Sequence, residues 1–391
     1  MRQLDPLQRL TAALAGGPPF TPDDAVHAPT SISCRAQPGA SAAARGLPEG
    51  TAVAALTSGS TGRPGLVALS AEAVKASARL SAERLGGQGH WLLALPLDHI
   101  AGINVAARAL LAGGALGAMP PGPFTWQACA AAAAALPPGP RYVSLVPTQL
   151  RRLVLGGRDA IAALAGFEAV LVGGAGLDAE LRSGAAAGGA PLVETYGMAE
   201  TCGGCVYDGQ PLDSVSAQIS PDGRIELAGP TLALGYAEGG RGGFFERAGQ
   251  RWFRSSDLGR WGDDGALEVI GRTDNAITTG GLTLAAEPIE AALRELPGVV
   301  DAIVLGLDDP EWGQTLTALI EVEALAQAGG QGPALAELRG WVKDKLGPAA
   351  QPRAAAAVSA LPRLQAGKPD RVAALNLAWR LAGEGRLQRI G

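Results

Sequence analysis

The stretch T-S-G-S-T-G-R-P-G, residues 57–65, lies between an apolar run at 52–56 and a segment of helical character that begins near Ser70. Glycine allows backbone N–H groups to converge on an anion without steric cost, and hydroxyl side chains add further donors. The stretch therefore predicts a phosphate-binding loop, although a flexible Ser/Gly linker has a similar composition. It is not a Walker A loop, because the G-x-x-x-x-G-K-[ST] pattern is absent. The candidate phosphate-binding residues are Thr57, Ser58, Gly59, Ser60, Thr61 and Gly62.

Short apolar runs bounded by glycine alternate with segments of helical character after this loop. Such alternation predicts an α/β domain built of layers. The predicted strands are 52–56, 91–95, 142–146 and 169–172, and the predicted helices are 70–85, 102–111 and 148–155. A further short helix is expected at the N-terminus, where leucines 4, 7, 10 and 14 have helical spacing.

The sequence pattern changes after Asp213. Short strand-like pieces at 224–227, 252–254 and 267–270, separated by Gly and Asp, indicate a β-rich subdomain. From residue 275 onward the order is a helix at 287–296, strands at 299–305 and 315–322, and a helix at 334–346. This order indicates a second, smaller domain at 275–391.

Composition and charge restrict the class of protein. A chain of 391 residues can form two or three compact units with a large core. A formal net charge of -5, from 32 Lys+Arg against 37 Asp+Glu, offers no basic surface for nucleic acid. No apolar run approaches the roughly 18 residues that cross a bilayer, and four unevenly spread cysteines do not suggest a secreted disulfide framework. We expect a soluble, cytoplasmic protein without nucleic-acid partners or a membrane span.

Five motifs, in order, resemble those of the adenylate-forming superfamily, which includes acyl-CoA synthetases, luciferases and peptide-synthetase adenylation domains. The loop T-S-G-S-T-G-x-P is followed by Y-G-M-A-E-T at 196–201 and R-S-S-D at 254–257. G-R-T-D at 271–274 resembles the hinge of the family, and G-K-P-D-R at 367–371 resembles its closing motif with the catalytic lysine. The resemblance implies a large N-terminal domain of α/β layers plus the β-rich subdomain, and a smaller, mobile α+β C-terminal domain.

Three stretches carry a narrower resemblance, to the o-succinylbenzoate–CoA ligases of menaquinone biosynthesis; they are 95–102, 144–150 and 196–209. This resemblance implies an AMP-forming acid–thiol ligase that makes an acyl-adenylate and then an acyl-CoA thioester. Its cofactors and partners would be ATP, Mg²⁺, coenzyme A as co-substrate and a small carboxylic acid. A ligase for another aryl or acyl acid and a catalytically silent nucleotide-binding homologue both remain open, as does a homo-oligomeric state.

The resemblance also assigns roles to individual residues. The expected catalytic residues are Lys368, Glu200 and Arg272, and Glu200 is also the expected Mg²⁺ ligand, since a carboxylate is a hard oxygen donor. Further residues expected to bind ATP or coenzyme A are Tyr196, Gly197, Asp257, Gly280 and Gly281. The expected acid pocket consists of His99, Gly173, Gly174 and Thr195. His99 could equally be a buried, hydrogen-bonded histidine.

The implied domains are 1–273, which binds ATP and the acid, and 274–391, which moves about the hinge residue Asp274. One departure from the family pattern concerns charge: Gly65 stands where the family usually has a lysine, which removes a positive charge from the pyrophosphate side. Cys202 and Cys205 have C-x-x-C spacing but lie inside the nucleotide motif. We therefore expect them to be structural rather than redox-active.

Overall fold

The computed structural model describes residues 5–25, 46–57, 65–177, 179–237, 242–322, 332–363 and 369–389. The chain divides into two compact units. The first comprises residues 1–255 and 261–268, and the second comprises 256–260 and 269–391. No helix within the described ranges combines the length and the apolar character needed to cross a membrane.

The first unit contains most of the regular structure. Its strands are β1 Val53–Leu56, β2 Leu66–Leu69, β3 His90–Leu93, β4 Leu116–Ala118, β5 Arg141–Leu145, β6 Ala169–Gly173, β7 Leu192–Met198, β8 Gly203–Tyr207, β9 Gln210–Pro211, β10 Ser216–Ile219, β11 Arg224–Ala228, β12 Gly235–Tyr236, β13 Phe244–Arg247, β14 Gln250–Trp261 and β15 Leu267–Arg272. Its helices are α1 Pro6–Leu14, α2 Pro22–Ala25, α3 Ala71–Arg84, α4 Ile100–Ala112, α5 Trp126–Ala134, α6 Pro147–Leu155, α7 Arg158–Ala162 and α8 Ala179–Ala187. Strands β14 and β15 also contain residues of the second unit.

A seven-stranded sheet forms the centre of the first unit, in the order β4-β3-β5-β6-β7-β8-β9. The first five strands in this order pair in parallel, and β8 and β9 are antiparallel additions. Because side chains alternate between the faces of a strand, Trp91 and Leu93 pack in one core with α3 and α4, whereas Leu92 and Ala94 pack in another with α6 and α8. Helices on both faces explain why these strands are continuous apolar runs.

The predicted α/β layers are confirmed, and the strands and helices predicted between residues 52 and 172 end within two residues of their predicted limits. Four elements in this range were missed: β2, β4, α5 and α7. Strand β2 lies between the phosphate-binding stretch and α3, and it pairs with β1 in an antiparallel hairpin. The N-terminus of α3 is capped by Ser70, whose side chain accepts a hydrogen bond from the Ala73 N–H at 3.1 Å.

Two smaller sheets complete the first unit. One has the order β1-β2-β12, and the other has the order β10-β11-β14-β13 with β15 paired to β14. The second of these sheets is the predicted β-rich subdomain. Within it, the buried carboxylate of Glu226 pairs with Arg247 and with Arg254, each at 2.7 Å.

The second unit combines α-helices with a β-sheet, as predicted. Its sheet has the order β17-β16-β19-β20-β21, with β18 paired to β19. The strands are β16 Ala276–Thr279, β17 Leu282–Ala285, β18 Val299–Asp309, β19 Gly313–Val322, β20 Ala354–Val358 and β21 Gln388–Arg389, and the helices are α9 Ala286–Arg294, α10 Leu335–Leu346 and α11 Arg371–Gly383. Helices α9 and α10 pack in one core, and α11 packs in a second.

The described cysteines, Cys129, Cys202 and Cys205, are buried free thiols. Burial raises the pKa of Cys129 to about 11 and the pKa values of Cys202 and Cys205 to about 12. The backbone carbonyl of Cys202 accepts hydrogen bonds from Ser77 and Asn104, at 3.1 and 2.7 Å. Because a protonated thiol is a poor nucleophile, this environment supports the structural interpretation of the C-x-x-C pair.

Helix α4 lies close to residues 95–96, and this contact leads to a first testable prediction. A Cβ atom added at Gly102 would lie 1.9 Å from the Pro96 carbonyl oxygen. We expect Gly102→Ala to lower the thermal unfolding midpoint, since forced overpacking costs about 1–3 kcal/mol. Gly340→Ala on α10 is the control, because no atom lies within 4 Å of the added Cβ and alanine favours a helix by about 1 kcal/mol. Equal shifts of the two midpoints in calorimetry would contradict the prediction.

The raised thiol pKa values predict slow alkylation of the native protein. At pH 8, a thiol with a pKa near 11 has only about one part in a thousand as thiolate. Iodoacetamide should therefore leave Cys129, Cys202 and Cys205 unmodified in native protein and label them in guanidinium chloride, as read by peptide mass spectrometry. Rapid labelling of native Cys202 or Cys205 would show that the thiols are accessible and would contradict the structural role.

Candidate active site

The carboxyl ends of β3, β5, β6 and β7 share one edge of the seven-stranded sheet, since these strands are parallel. We call this edge the carboxyl edge. Gly173 ends β6 and Thr195 is its register partner on β7. His99 follows β3 and is the N-cap residue of α4. The structure therefore brings the predicted acid-pocket residues to one side of the sheet, with Gly174 next to Gly173.

Close packing at this edge requires glycine. A Cβ atom at Gly173 would lie 2.4 Å from Thr195 Oγ1, and Gly174 has a φ of +83°. At Gly197, an added Cβ would lie 2.0 Å from the Gly203 carbonyl oxygen. The glycines of the motif thus let β6, β7 and β8 approach each other, a role that is independent of any ligand.

The side chain of His99 is half-buried, and its imidazole has no hydrogen bond to another residue in the described part of the chain. The backbone of His99 forms a parallel bridge with Leu56, which brings the end of β1 to the carboxyl edge. The neighbouring Asp98 is 7% exposed, and its Oδ1 atom has no hydrogen-bond partner among the described residues. Sequence reasoning did not select Asp98.

The predicted phosphate loop is closed by Thr57 and Gly65. The Thr57 N–H donates to the Gly65 carbonyl at 2.8 Å, and the Gly65 N–H donates to Thr57 Oγ1 at 2.9 Å. The loop therefore connects the antiparallel strands β1 and β2, so the chain continues into β2 and not directly into a helix. Its residues Ser58, Gly59, Ser60, Thr61 and Gly62 lie outside the described residues.

The glycine at position 65 fits closely against its neighbours. A Cβ atom there would lie 3.0 Å from Thr57 Oγ1 and 3.9 Å from the ring of Tyr236. A lysine at this position would therefore require Thr57 Oγ1 to shift by a few tenths of an ångström. The space beside Thr57 therefore suits glycine, which has no side chain.

Glu200 lies in a short 3-10 helix, Ala199–Thr201, directly after β7. The residue is 9% exposed, and its Oε1 atom accepts a hydrogen bond from the Tyr236 hydroxyl at 2.7 Å. Burial and the adjacent carboxylate raise the pKa of Tyr236 above its usual range, so the phenol stays protonated and donates. Tyr236 reaches this position because β12 pairs with β2. Tyr196, which lies on β7, donates to Ser255 Oγ at 3.4 Å.

In the second unit, Arg272, which was expected to be catalytic, contacts Asp257, which was expected to bind ATP or coenzyme A. Arg272 donates to Asp257 Oδ1 at 2.7 Å and to Asp274 Oδ2 at 2.6 Å. Glu287 accepts from the Arg272 backbone N–H at 3.2 Å. Burial alone would lower the pKa of Arg272, but the three carboxylates together raise it above its usual value. The guanidinium is therefore a permanent cation that holds Asp257.

The other predicted residues of the second unit lie in turns. Gly280 and Gly281 connect β16 to β17 with φ values of +56° and +79°, which favour glycine. Lys368 lies outside the described residues. Its segment is bounded by a bridge between Arg363 and Pro369 and by Asp370, whose side chain caps α11.

An ion pair anchors the chain just after the Lys368 segment. Arg371 donates to Glu290 Oε1 at 2.6 Å and to the Val304 carbonyl at 3.0 Å. Burial raises the pKa of the Glu290 carboxyl, and the adjacent Arg371 opposes this shift. The anchor fixes the start of α11, although nothing in the local sequence marks the distant partner Glu290.

Sequence reasoning missed Tyr236, Asp98, Glu287 and Glu290. Each contacts a motif residue, or lies next to one, through tertiary structure rather than through a motif of its own. Tyr236 is 36 residues from Glu200, and Glu287 is 15 residues from Arg272. The one available signal was the Asp98–His99 pair, where a carboxylate follows an apolar strand.

Comparison with known proteins agrees with this site. Residues 13–236 match the AMP-binding enzyme family, and residues 288–368 match the AMP-binding enzyme C-terminal domain. A relative from Mycobacterium tuberculosis, named "Probable 2-succinylbenzoate--CoA ligase", is 43% identical over 344 residues, which are 86% of this chain and 86% of the relative. The 2-succinylbenzoate–CoA ligase of Salmonella typhimurium is 32% identical over 76% of this chain, which spans 62% of that relative's length.

A solved structure is similar as well. It is the o-succinylbenzoate CoA synthetase of Bacillus subtilis in complex with the acyl-adenylate intermediate OSB-AMP. The TM-score is 0.71 at 25% sequence identity, over 82% of this chain and 68% of the Bacillus chain. The motifs, the fold and these matches lead to one conclusion: the chain belongs to the AMP-binding enzyme family.

Proposed function

We propose that this protein is an ATP-dependent o-succinylbenzoate–CoA ligase of menaquinone biosynthesis. The observation that carries the proposal is the 43% identity to the mycobacterial relative over 86% of both chains. The carboxyl-edge site supports it, because the Glu200 carboxylate and the half-buried His99 lie at this edge, and the backbone of His99 bridges to Leu56, next to Thr57. A ligase for a different aryl or acyl acid is the second candidate, since sequence similarity constrains the acid less than it constrains the reaction.

The proposed reaction has two steps. In the first, a carboxylate oxygen of the acid attacks the α-phosphorus of ATP, the bond from that phosphorus to the bridging oxygen breaks, and pyrophosphate leaves. In the second, the sulfur of coenzyme A attacks the acyl carbonyl, the carbon–oxygen bond to AMP breaks, and the thiol proton is released. Both steps join or separate anions, so the contribution expected of the protein is positioning and charge compensation.

The phosphates are proposed to bind at the loop that connects β1 and β2. Thr57 is held by Gly65, so the hydrogen bonds between these two residues fix the base of the loop. Residues Ser58, Gly59, Ser60, Thr61 and Gly62 would supply further backbone N–H and hydroxyl donors. Because Gly65 brings no charge, backbone donors replace the usual lysine in this proposal.

Glu200 fits the role of Mg²⁺ ligand. Its carboxylate is a hard oxygen donor that Tyr236 orients at 2.7 Å. In the described part of the chain, no three His, Cys, Asp or Glu side chains form a metal cluster. This agrees with Mg²⁺, which proteins usually bind through one or two carboxylates together with substrate phosphates. When bound, the ion would neutralise charge on the phosphate oxygens.

The remaining assignments follow the family motifs. Tyr196 and Gly197 would contact the adenine, and Asp257, oriented by Arg272, would accept hydrogen bonds from the ribose hydroxyls. His99, Gly173, Gly174 and Thr195 would line the acid pocket. Lys368 would compensate charge at the α-phosphate, and Gly280 and Gly281 would line the path of coenzyme A. Movement of residues 274–391 about Asp274 between the two steps stays a prediction.

ATP–pyrophosphate exchange tests the proposed function. We expect exchange with o-succinylbenzoate and not with unrelated acids. Lys368→Ala should slow exchange by about 100- to 1,000-fold, the usual effect of losing one preorganised donor, whereas thioester formation from supplied acyl-adenylate should be much less affected. Lys343→Ala on α10 is the control. Exchange with a different acid alone would support the second candidate, and no exchange with any acid would indicate a silent binder.

The Glu200–Tyr236 pair leads to a separate prediction about the Mg²⁺ dependence of exchange. Glu200→Gln should raise the Mg²⁺ concentration needed for half-maximal exchange. Tyr236→Phe should raise it by about 10- to 100-fold, since outer partners of metal ligands have effects of this size. Glu194→Gln is the matched control, because Glu194 lies on β7, the strand that precedes Glu200, and pairs with Arg182. If Glu200→Gln and Tyr236→Phe both kept the wild-type Mg²⁺ dependence, as the control should, Glu200 would not be the ligand.

A further inference from the structure

A cavity of about 310 Å³ lies in the first unit, away from the carboxyl edge. It is lined by residues of α3, the C-terminal part of α4, the segment 87–88 and Trp91 at the start of β3. The start of a parallel strand is at the opposite edge from its carboxyl end. Helix α4 runs from His99 to this cavity, and Arg108 is nine residues along it, about 13 Å at 1.5 Å per residue. The cavity is therefore separate from the proposed active site.

The charged residues that line the cavity are all basic: Lys75, Arg79 and Arg108. Arg79 has a carboxylate partner outside the lining, Glu83, at 2.8 Å. Lys75 lies on the exposed face of α3. The lining of the cavity therefore carries positive charge and no acidic side chain.

Arg108 differs from the other cations of this protein. It is 7% exposed and no carboxylate in the described part of the chain pairs with it. One terminal nitrogen donates to the Tyr207 hydroxyl at 3.2 Å, and the Nε atom has no acceptor among the described residues. A buried guanidinium with an unsatisfied donor is costly unless an anion compensates it. The fold thus keeps a cation where a bound anion would be stabilised.

Apart from Gln88, the rest of the lining is apolar. The Trp91 ring stacks on Tyr142 at 5.0 Å and lies 5.0 Å from the Arg108 guanidinium. Leu111 and several alanines add aliphatic surface. A ligand that fits these walls has a flat apolar body and one anionic group. A volume near 300 Å³ is at the lower end of small-molecule sites, which suits one or two rings.

We propose that this cavity is a second ligand site, which binds a small aromatic monoanion through Arg108 and Lys75, with the ring against Trp91. The inference does not rest on the proposed ligase activity. It rests on the unpaired buried cation, the all-basic charged lining and the apolar walls. The ligand class is an aryl carboxylate or sulfonate.

Calorimetric titration of the full chain with naphthalene-2-sulfonate tests the proposal. The neutral naphthalene-2-sulfonamide is the matched ligand and should bind at least about 10-fold more weakly, since a charged hydrogen bond is lost. Arg108→Met should weaken sulfonate binding by a similar factor, and Lys75→Glu should weaken it several-fold. Lys343→Glu, which makes the same charge change on α10, should leave the affinity unchanged.

Two results would overturn the proposal. One is equal affinity for the sulfonate and the sulfonamide. The other is binding that survives Lys75→Glu but is lost in His99→Ala, which would place the probe at the carboxyl edge. If Arg108→Met fails to fold, as judged by circular dichroism, the exposed position Lys75 decides the outcome. Because the readout is binding, the result is independent of whether o-succinylbenzoate is a substrate.

Discussion

Parallel pairing of β3, β5, β6 and β7 is the constraint on which the first unit depends. Helices cover both faces of these strands, so almost every strand position is apolar and polar groups fit only where the strands end. Because the strands are parallel, their carboxyl ends coincide at one edge. Residues as distant in sequence as His99 and Glu200 are brought to that edge by topology alone, at the place where open α/β sheets usually bind ligands.

Strand β2 connects the two most informative parts of the site. It pairs with β1 on one side, where Thr57 and Gly65 close the loop. On the other side it pairs with β12, which carries Tyr236, the hydrogen-bond partner of Glu200. The proposed phosphate loop and the proposed metal ligand therefore share one structural support. A distortion of β2 would disturb both. The strand is completely buried from Val67 to Leu69, and this packing holds it in place.

Most buried charges in the described part of the chain are paired. Arg272 holds Asp257 and Asp274, Arg371 holds Glu290, and Glu226 holds two arginines. Removing one partner of such a pair leaves an uncompensated charge, which is usually more costly than losing the attraction itself. Asp98 and Arg108 are the exceptions among the described residues, and Arg108 is the buried cation that lines a cavity. The pattern of pairing elsewhere gives this single unpaired cation its significance.

The amino-acid sequence by itself determined the α/β layers, the β-rich subdomain and the smaller α+β unit, because apolar periodicity and glycine spacing are local properties. It also determined family membership, since the motifs T-S-G-S-T-G and Y-G-M-A-E-T are contiguous. Only the tertiary structure decided that the loop connects two antiparallel strands, that Tyr236 binds Glu200 and that Arg272 binds Asp257. These contacts join residues that are 8, 15 and 36 positions apart in the sequence. Local sequence carries no record of which distant side chain completes a hydrogen bond, so only packing could select it.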